Sequence, residues 1–434
     1  MYPFDLVEIM ESSSTTPRIV ELAAKISSSV SQLQELLSAQ GVPSPSFTED
    51  SPERLPANTF DLQDAVLDAT TELHELLMEP VRLIFRFCAT TNMAGIDAIS
   101  RFGFADAVPI EGQISFGEIA KATGLDEPHV RRLLRHVMAR NIFHEPEPGM
   151  VAHTKLSRYF IKPYIKDFVG FGAREGWPAA TRMLDAIQKW PLSEEANHTG
   201  FSLANDSDKS ALELLTADHA RAMRLQGGID AHDHFAGWAA TDVAELYGWA
   251  SIGEAIVCHV GGHRGEVAAL LAKRFENLKF LVQDADKVIS GAEAAVLDDL
   301  KSRIEFKSYD LFEPQIEQAD VYLLRLVFQI RNDKETLKIL KAQIPALRHG
   351  AKILIMEIVM PEPGAIPVWR DRELRAIDMA IGANFNGRNR YLGEWKALLA
   401  AADARFHLQR VIVPERSLLS TLEIVWDTSS SAEA

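Results

Sequence analysis

Apolar residues keep a helical period through the first half of the chain and change to a strand–helix rhythm in the second. Over Arg18–Gln40, Ile19, Leu22, Ile26, Val30, Leu33 and Leu37 fall on one helical face that needs a partner, either on its own chain or on a second subunit. Gly41–Asn58, with four prolines among Ser, Glu and Asp, reads as a linker, and Leu62–Thr90 resumes the helical period. Ile114–Gly149 has a winged-helix layout: FGEIAKATGL, a turn at Asp126–Glu127, then PHVRRLLRHVMARNIFHEPEPG with a short β wing after Asn141. Tyr164–Leu225 is helical again, and its stripe of Phe168, Phe171, Trp177, Met183 and Met223 suits a bridge between two halves, as core or as pocket wall.

From Ala255 the pattern is different. Ala255–Val260 is short, apolar and β-branched, Gly261–Gly265 is a turn with three glycines, and Glu266–Arg274 sets Val267, Leu270 and Leu271 at helical spacing. Phe280–Val282 is the next buried strand, closed by Asp284. The rhythm continues with a helix to about Leu300, a strand at Ile304–Tyr309 ending on Asp310, a strand Val321–Val327, a helix Asp333–Leu347 and a strand Lys352–Ile358. A helix Leu392–Ala401 and strands His407–Val413 and Leu419–Trp426 close the sheet, and the βα rhythm predicts a parallel sheet with right-handed crossovers. In such a sheet a glycine turn lies under a nucleotide-like ligand and an acid after the second strand meets ribose hydroxyls; a GGxxG turn also serves as plain structure.

Composition narrows the function classes. At 434 residues two domains are expected, and we divide the chain into a helical extension and linker (1–58), a winged-helix-like domain (59–175) and a Rossmann-like domain with bridging helices (176–434). The 45 basic and 61 acidic side chains give −16, which disfavours nucleic acid and anionic membranes. Arg131, Arg132, Arg135 and Arg140 therefore read as a solvated face or dimer contact rather than a DNA surface. Cys88 and Cys258 have no metal-ligand spacing and read as reduced core residues. Residues 1–17 read as a mobile tail with acids where a secretory leader needs bases; with no apolar run long enough to span a bilayer, a cytoplasmic location is expected. Asp230, His232, Asp233 and His234 resemble a metal cluster with incomplete spacing, so no metal is expected, and His232 or His234 is left as a pocket acid or base.

Between about Leu62 and Asp427 the chain resembles the fungal S-adenosylmethionine-dependent O-methyltransferases of secondary metabolism. KWPLSEEANHTGFSLAND (189–206), VGGHRG followed by FLVQD, ADVYLLR, KILKAQIPALRHGAKILI, MPEPG, DRELRAIDM and EIVWD occur in that family's order. The resemblance implies a class I methyltransferase fold, a winged-helix-like dimerisation domain, a homodimer and a small polyketide or alkaloid substrate. It places Gly261, Gly262 and Gly265 beneath the cofactor's methionine end, Asp284 on the ribose, Asp310 with Leu311 and Phe312 near the adenine, and Arg325 beside the cofactor. His259 stands where the family has an acid, and His263 where it has a small residue.

Family members read LRxxLHNWxD, with a histidine that takes the hydroxyl proton; here LRLVFQIRND puts Gln329 there, and GRNR puts Asn389 where an acid supports that histidine, leaving Glu357. General-base help is typically worth about 10²–10⁴ in rate. The altered set is similar to the methyltransferase-like pericyclases, in which a cation lies near the position of Arg331. This implies an Alder-ene or hetero-Diels–Alder cyclisation of a pyridone quinone methide, with S-adenosylmethionine bound but not consumed. Arg331, Gln329 and His232 would be catalytic, and Gln226, Met183, Phe328, Asn384 and Asn389 would touch substrate. The rival expectations are an O-methyltransferase whose acceptor is acidic enough to need no base, and a silent dimer partner.

Overall fold

The computed structural model describes residues 16–232, 234–235, 237–414 and 417–429, so most of the expected tail lies outside it. Helix α1 (Arg18–Ala39) lies along α2 (Phe60–Leu77), burying Leu22 and Leu37, with Arg18 and Glu72 paired at 2.6 Å. The N-terminal helix thus finds its partner on its own chain. Pro80 ends the expected long helix and starts a short one, α3 (Pro80–Phe87), because proline tolerates only the first turn. The winged helix follows: α4 (Phe116–Thr123), entered through a capping box of Ser115 and Glu118, then α5 (Glu127–Met138), and a wing in which Ile114–Ser115 pairs with Met150–Val151.

Two of the four bases are paired with acids of the same chain, Arg131 with Glu127 and Arg135 with Glu145 at 2.8 Å, and Arg140, just past α5, bonds the Asn92 side chain. Cys258 is buried as expected, but Cys88 is exposed, a correction, because α3 turns its apolar face away from its own chain. Helices α6 (Trp177–Lys189) and α7 (His219–His232) bridge to the second half. Among the described residues no helix is long and apolar enough to cross a membrane.

The second half is built on seven strands: β1 (Ala255–Val260), β2 (Leu278–Asp284), β3 (Ile304–Ser308), β4 (Val321–Arg325), β5 (Lys352–Glu357), β6 (Phe406–Ile412) and β7 (Ser420–Trp426). Their order across the sheet is β6-β7-β5-β4-β1-β2-β3, with β7 antiparallel to both β5 and β6 and all other pairs parallel. β1 lies at the centre, Val257 opposite Phe280 on one side and Val321 on the other. Alternation along it feeds two cores. Ala255 and Val257 meet helix α8 (Glu266–Arg274) through Val267 and Leu271. Cys258 and Val260 belong to a core completed by α9 (Asp333–Gln343) and α11 (Leu392–Ala402).

The expected helix to Leu300 is only Asp286–Ile289 and a turn at Ala292–Ala295, interrupted where Gly291 takes φ 74°. Helix α10 (Val368–Phe385) returns to the N-terminal part, where Asp68 accepts from the first backbone N–H groups, Val368 and Trp369, each at 3.0 Å.

Candidate active site

At the C-terminal end of β1 the chain must turn sharply over the edge of the sheet. Gly261 and Gly265 have φ of 70° and 87°, and His263 between them also has positive φ, 54°. A Cβ on Gly262 would lie 2.8 Å from the His259 carbonyl oxygen, and one on Gly265 would lie 2.8 Å from the Phe306 ring. These glycines are demanded by the packing of the turn itself. The Gly261 and Gly262 N–H groups donate to the Gln283 carbonyl at 2.8 and 3.0 Å, tying the turn to the end of β2.

Asp284 faces that turn: Oδ2 accepts from the His263 N–H at 2.9 Å and Oδ1 from the Ala285 N–H at 2.8 Å. Each carboxylate oxygen keeps a second acceptor position, so the donor set still fits a pair of ribose hydroxyls. Asp310 holds the next turn by accepting from the Phe312 N–H at 2.9 Å, with Leu311 and Phe312 half-buried beside it. Arg325 donates to the Trp238 carbonyl oxygen. Buried His259 is pushed down to about 3, first by loss of water and then by Arg325, and is neutral at physiological pH.

A second group gathers on the loop after β4. The Phe328 N–H donates to Glu357 Oε1 at 2.6 Å, while burial lifts that carboxyl to about 7 against the pull of Phe328 N–H and Arg390. Glu357 Oε2, Gln329 Oε1, Asn384 Oδ1, Arg331 Nε and both side-chain polar atoms of Asn389 are buried with no protein hydrogen-bond partner. Such groups cost about 1–3 kcal/mol each when left without one, so their concentration near this loop marks it as a candidate polar site. Arg331 is 17% exposed at its side chain, lies 3.7 Å from Glu335 and stacks on Phe312 at 5.5 Å, which is not the setting of a plain surface arginine.

The loop is held by a residue outside the expected site set. Arg390 is 1% exposed and donates to Asp333 Oδ1 at 2.8 Å, to the Phe328 carbonyl at 3.1 Å, to the Arg331 carbonyl at 2.8 Å and to Thr336 Oγ1 at 2.9 Å. It fixes the backbone on both sides of Gln329. Its place in GRNR, next to Asn389, was the available signal.

Residues 210–405 match the O-methyltransferase domain family, and residues 81–163 match the O-methyltransferase dimerisation domain. The chain is 40% identical over 413 residues to O-methyltransferase PaMT of Phomopsis amygdali, covering 94% of this chain and 97% of that one. The chain belongs to the O-methyltransferase family of fungal secondary metabolism. Another member, chlorophenol O-methyltransferase of Trichoderma longibrachiatum, is 30% identical over 429 residues, covering 96% and 92% of the two chains. The solved structure of the pericyclase LepI with S-adenosylmethionine aligns with TM-score 0.73 over 93% of this chain and all of that one, at 20% identity. That likeness establishes the class I methyltransferase fold, which binds S-adenosylmethionine, and does not extend to the reaction.

Within this family member the expected site residues divide. Gly261, Gly262, Gly265, Asp284 and Gln226 gather at the glycine turn after β1, and Gln329, Arg331 and Asn389 with Glu357 at the loop after β4. Phe328 is a correction: it is fully buried, packed edge-on to Trp395 at 5.5 Å in the core beneath the sheet, and lines no substrate surface. Met183 packs with Ala179, Phe201 and Ala383 where α6 meets α10, and Asn384 anchors its Nδ2 on the Ala380 carbonyl at 2.8 Å. His232 stacks on Trp238 at 4.7 Å and meets Phe168 and Phe235 edge-on. His234 stacks on Tyr164 at 3.8 Å, Asp233 lies outside the described residues, and no metal-ligand cluster occurs among those described.

Proposed function

We propose that the enzyme transfers the methyl group of S-adenosylmethionine to the oxygen of a small fungal metabolite that arrives already ionised, an acidic phenol or the enol of a pyridone or 1,3-dicarbonyl. The observation that carries this reading is the pairing of a retained cofactor turn with an amide, Gln329, where the family places its base. The cofactor, when bound, supplies an electrophilic methyl group. The chain's own residues then bind and orient an anion. The Arg331 guanidinium supplies the positive charge, held only loosely by Glu335 at 3.7 Å. Gln329 offers its amide N–H to the same oxygen. Glu357 retains its proton below about pH 7, so no second negative charge develops behind the amide. A chlorinated phenol, the acceptor in the name of the Trichoderma relative, is an acceptor of this acidic kind.

A second reading is favoured by the absence of a proton acceptor at Gln329 and Asn389: the same cation and amide would polarise a carbonyl and direct a pericyclic cyclisation without methyl transfer. One preorganised donor contributes on the order of 3 kcal/mol and alignment of a flexible substrate up to about 7–11 kcal/mol.

One experiment separates the two. The purified enzyme is incubated with S-adenosylmethionine and a panel of acidic phenols, pyridone enols and pyridone alcohols, and products are followed by mass spectrometry. Gain of one methyl group with stoichiometric S-adenosylhomocysteine, lost in Arg331→Ala, is expected. A stereoselective isomer or dehydrated cyclised product of unchanged methyl count sinks methyl transfer and supports the pericyclase. No turnover of any member of the panel sinks both.

A further inference from the structure

The cofactor turn and the substrate-side helix α7 are joined by a chain of four side chains. Asp230 Oδ1 accepts from Gln226 Nε2 at 2.6 Å, Gln226 Oε1 faces His263 Nε2 at 3.1 Å, and His263 Nδ1 lies 3.5 Å from Glu266 Oε2. The chain has a direction. Turning the Gln226 amide over would set its oxygen against the Asp230 carboxylate, so the oxygen must face His263, and the imidazole must donate from Nε2. Glu266 Oε2 faces Nδ1 at 3.5 Å as an ion-pair partner and favours a proton on that nitrogen. Neutral histidine carries one N–H, so only the imidazolium satisfies both neighbours.

We propose that His263 is a positioning residue that, as a doubly donating imidazolium, latches α7 onto the cofactor turn, so that retention of S-adenosylmethionine depends on its protonation. The inference rests on the cofactor turn and goes beyond the choice between methyl transfer and cyclisation. The backbone of His263 is already committed, its N–H to Asp284 at 2.9 Å and its φ to 54°, so the residue that carries the ring also holds the carboxylate that faces the turn. The titratable groups around it are Glu266 on α8, Asp284 at the end of β2, Asp230 on α7 and His259 on β1, the last one neutral. The bond to Glu266, outweighing the loss of water, raises His263 above its ordinary 6.5, and Asp284 and Asp230 add to this. The latch is therefore closed below that raised value and opens as pH rises through it.

The test uses full-length enzyme labelled with ¹³C-histidine and S-adenosylhomocysteine as the probe. The His263 ring signal, assigned by its loss in His263→Asn, is expected to titrate above 6.5, and a value at or below it overturns the proposal. Calorimetric affinity for the probe in the wild type is expected to weaken roughly tenfold between about pH 6 and about pH 8.5, the worth of one charge-assisted bond. Gln226→Met should bring the His263 titration down and flatten that pH dependence while leaving the unfolding temperature near wild type. A wild-type affinity that does not change with pH, or a Gln226→Met profile identical to wild type, rejects the latch; the wild-type measurements stand even where a variant fails to fold.

Discussion

Two buried titratable groups on neighbouring parts of the sheet drive the pH dependence of stability in opposite directions. His259 is held at about 3, below its ordinary 6.5. Between those values the unfolded chain binds the proton and the folded chain does not, so stability rises with pH across that window. Glu357 is held at about 7, above its ordinary 4.5. Between those values the folded chain binds the proton and the unfolded chain has lost it, so stability falls as pH rises. The two largely offset one another where the windows overlap, each with a limiting slope of about 1.4 kcal/mol per pH unit. Glu357→Gln keeps an acceptor for the Phe328 N–H and removes only the titration. Its stability relative to wild type, from urea unfolding at successive pH values, should climb across 4.5 to 7 and level off above; a flat difference would show that Glu357 ionises normally in the fold. At Gln329 the expected change is chemical. Gln329→His restores an imidazole beside Glu357 and should raise methyl transfer to an ordinary phenol at neutral pH by up to about 10²-fold, the lower end of general-base assistance. Acidic acceptors should gain little, and an equal gain on both classes would remove the ionised-acceptor argument.

The element that decides the geometry of the site is the loop between β4 and α9, and what holds it is a single guanidinium. Four acceptors in three directions suit the planar fork of Arg390 and not the single ammonium of lysine. Arg390→Met leaves Asp333 and two carbonyls short of a buried donor, and removing one partner of a buried pair typically costs about 3–5 kcal/mol. We expect a loss of that order in urea unfolding, while Arg390→Lys recovers part of the stability but little of the activity. Full activity in Arg390→Lys would show that the loop is held by other contacts. This clamp also shows why part of the site was hidden in the sequence. Gln329, Arg331 and Asn389 were legible because a family motif places them within a few residues of known landmarks. Arg390 in a polar GRNR string looks exposed, and it is buried where Arg390–Tyr391 pairs with Val359–Met360 in a separate two-stranded sheet and the guanidinium turns in to the loop after β4. The same limit applies to Phe328, whose neighbours suggested a pocket wall and whose ring is turned into the core by a strand end that points it at Trp395.

For the molecule as a whole, the α/β class followed from the βα rhythm, while the strand order did not: β7 inserts antiparallel between β5 and β6, a pairing that no local period encodes. The helix expected after Asp284 was lost because helical spacing there was too short to outlast Gly291. The misjudged Cys88 has a cause on a larger scale. Helix α3 is strongly two-faced, yet Val81, Ile84, Phe85 and Phe87 are 77, 61, 78 and 68% exposed, with Leu76 and Leu77 at 53 and 67% just before them. Apolar side chains this contiguous are not left in water by a stable monomer, and burying one such side chain is worth about 1.5–3 kcal/mol. The α3 part of the face lies at the start of the match to the dimerisation domain, which begins at residue 81, so a second copy of this chain is the expected covering surface. The full-length protein should therefore run as a dimer of 48.2 kDa subunits in light scattering. Phe85→Glu combined with Ile84→Glu should yield a folded monomer that stays in solution, because neither side chain contributes to its own chain's core. A wild type that is monomeric at micromolar concentration, or a double variant that remains dimeric, would mean that this face is covered by something other than its own copy.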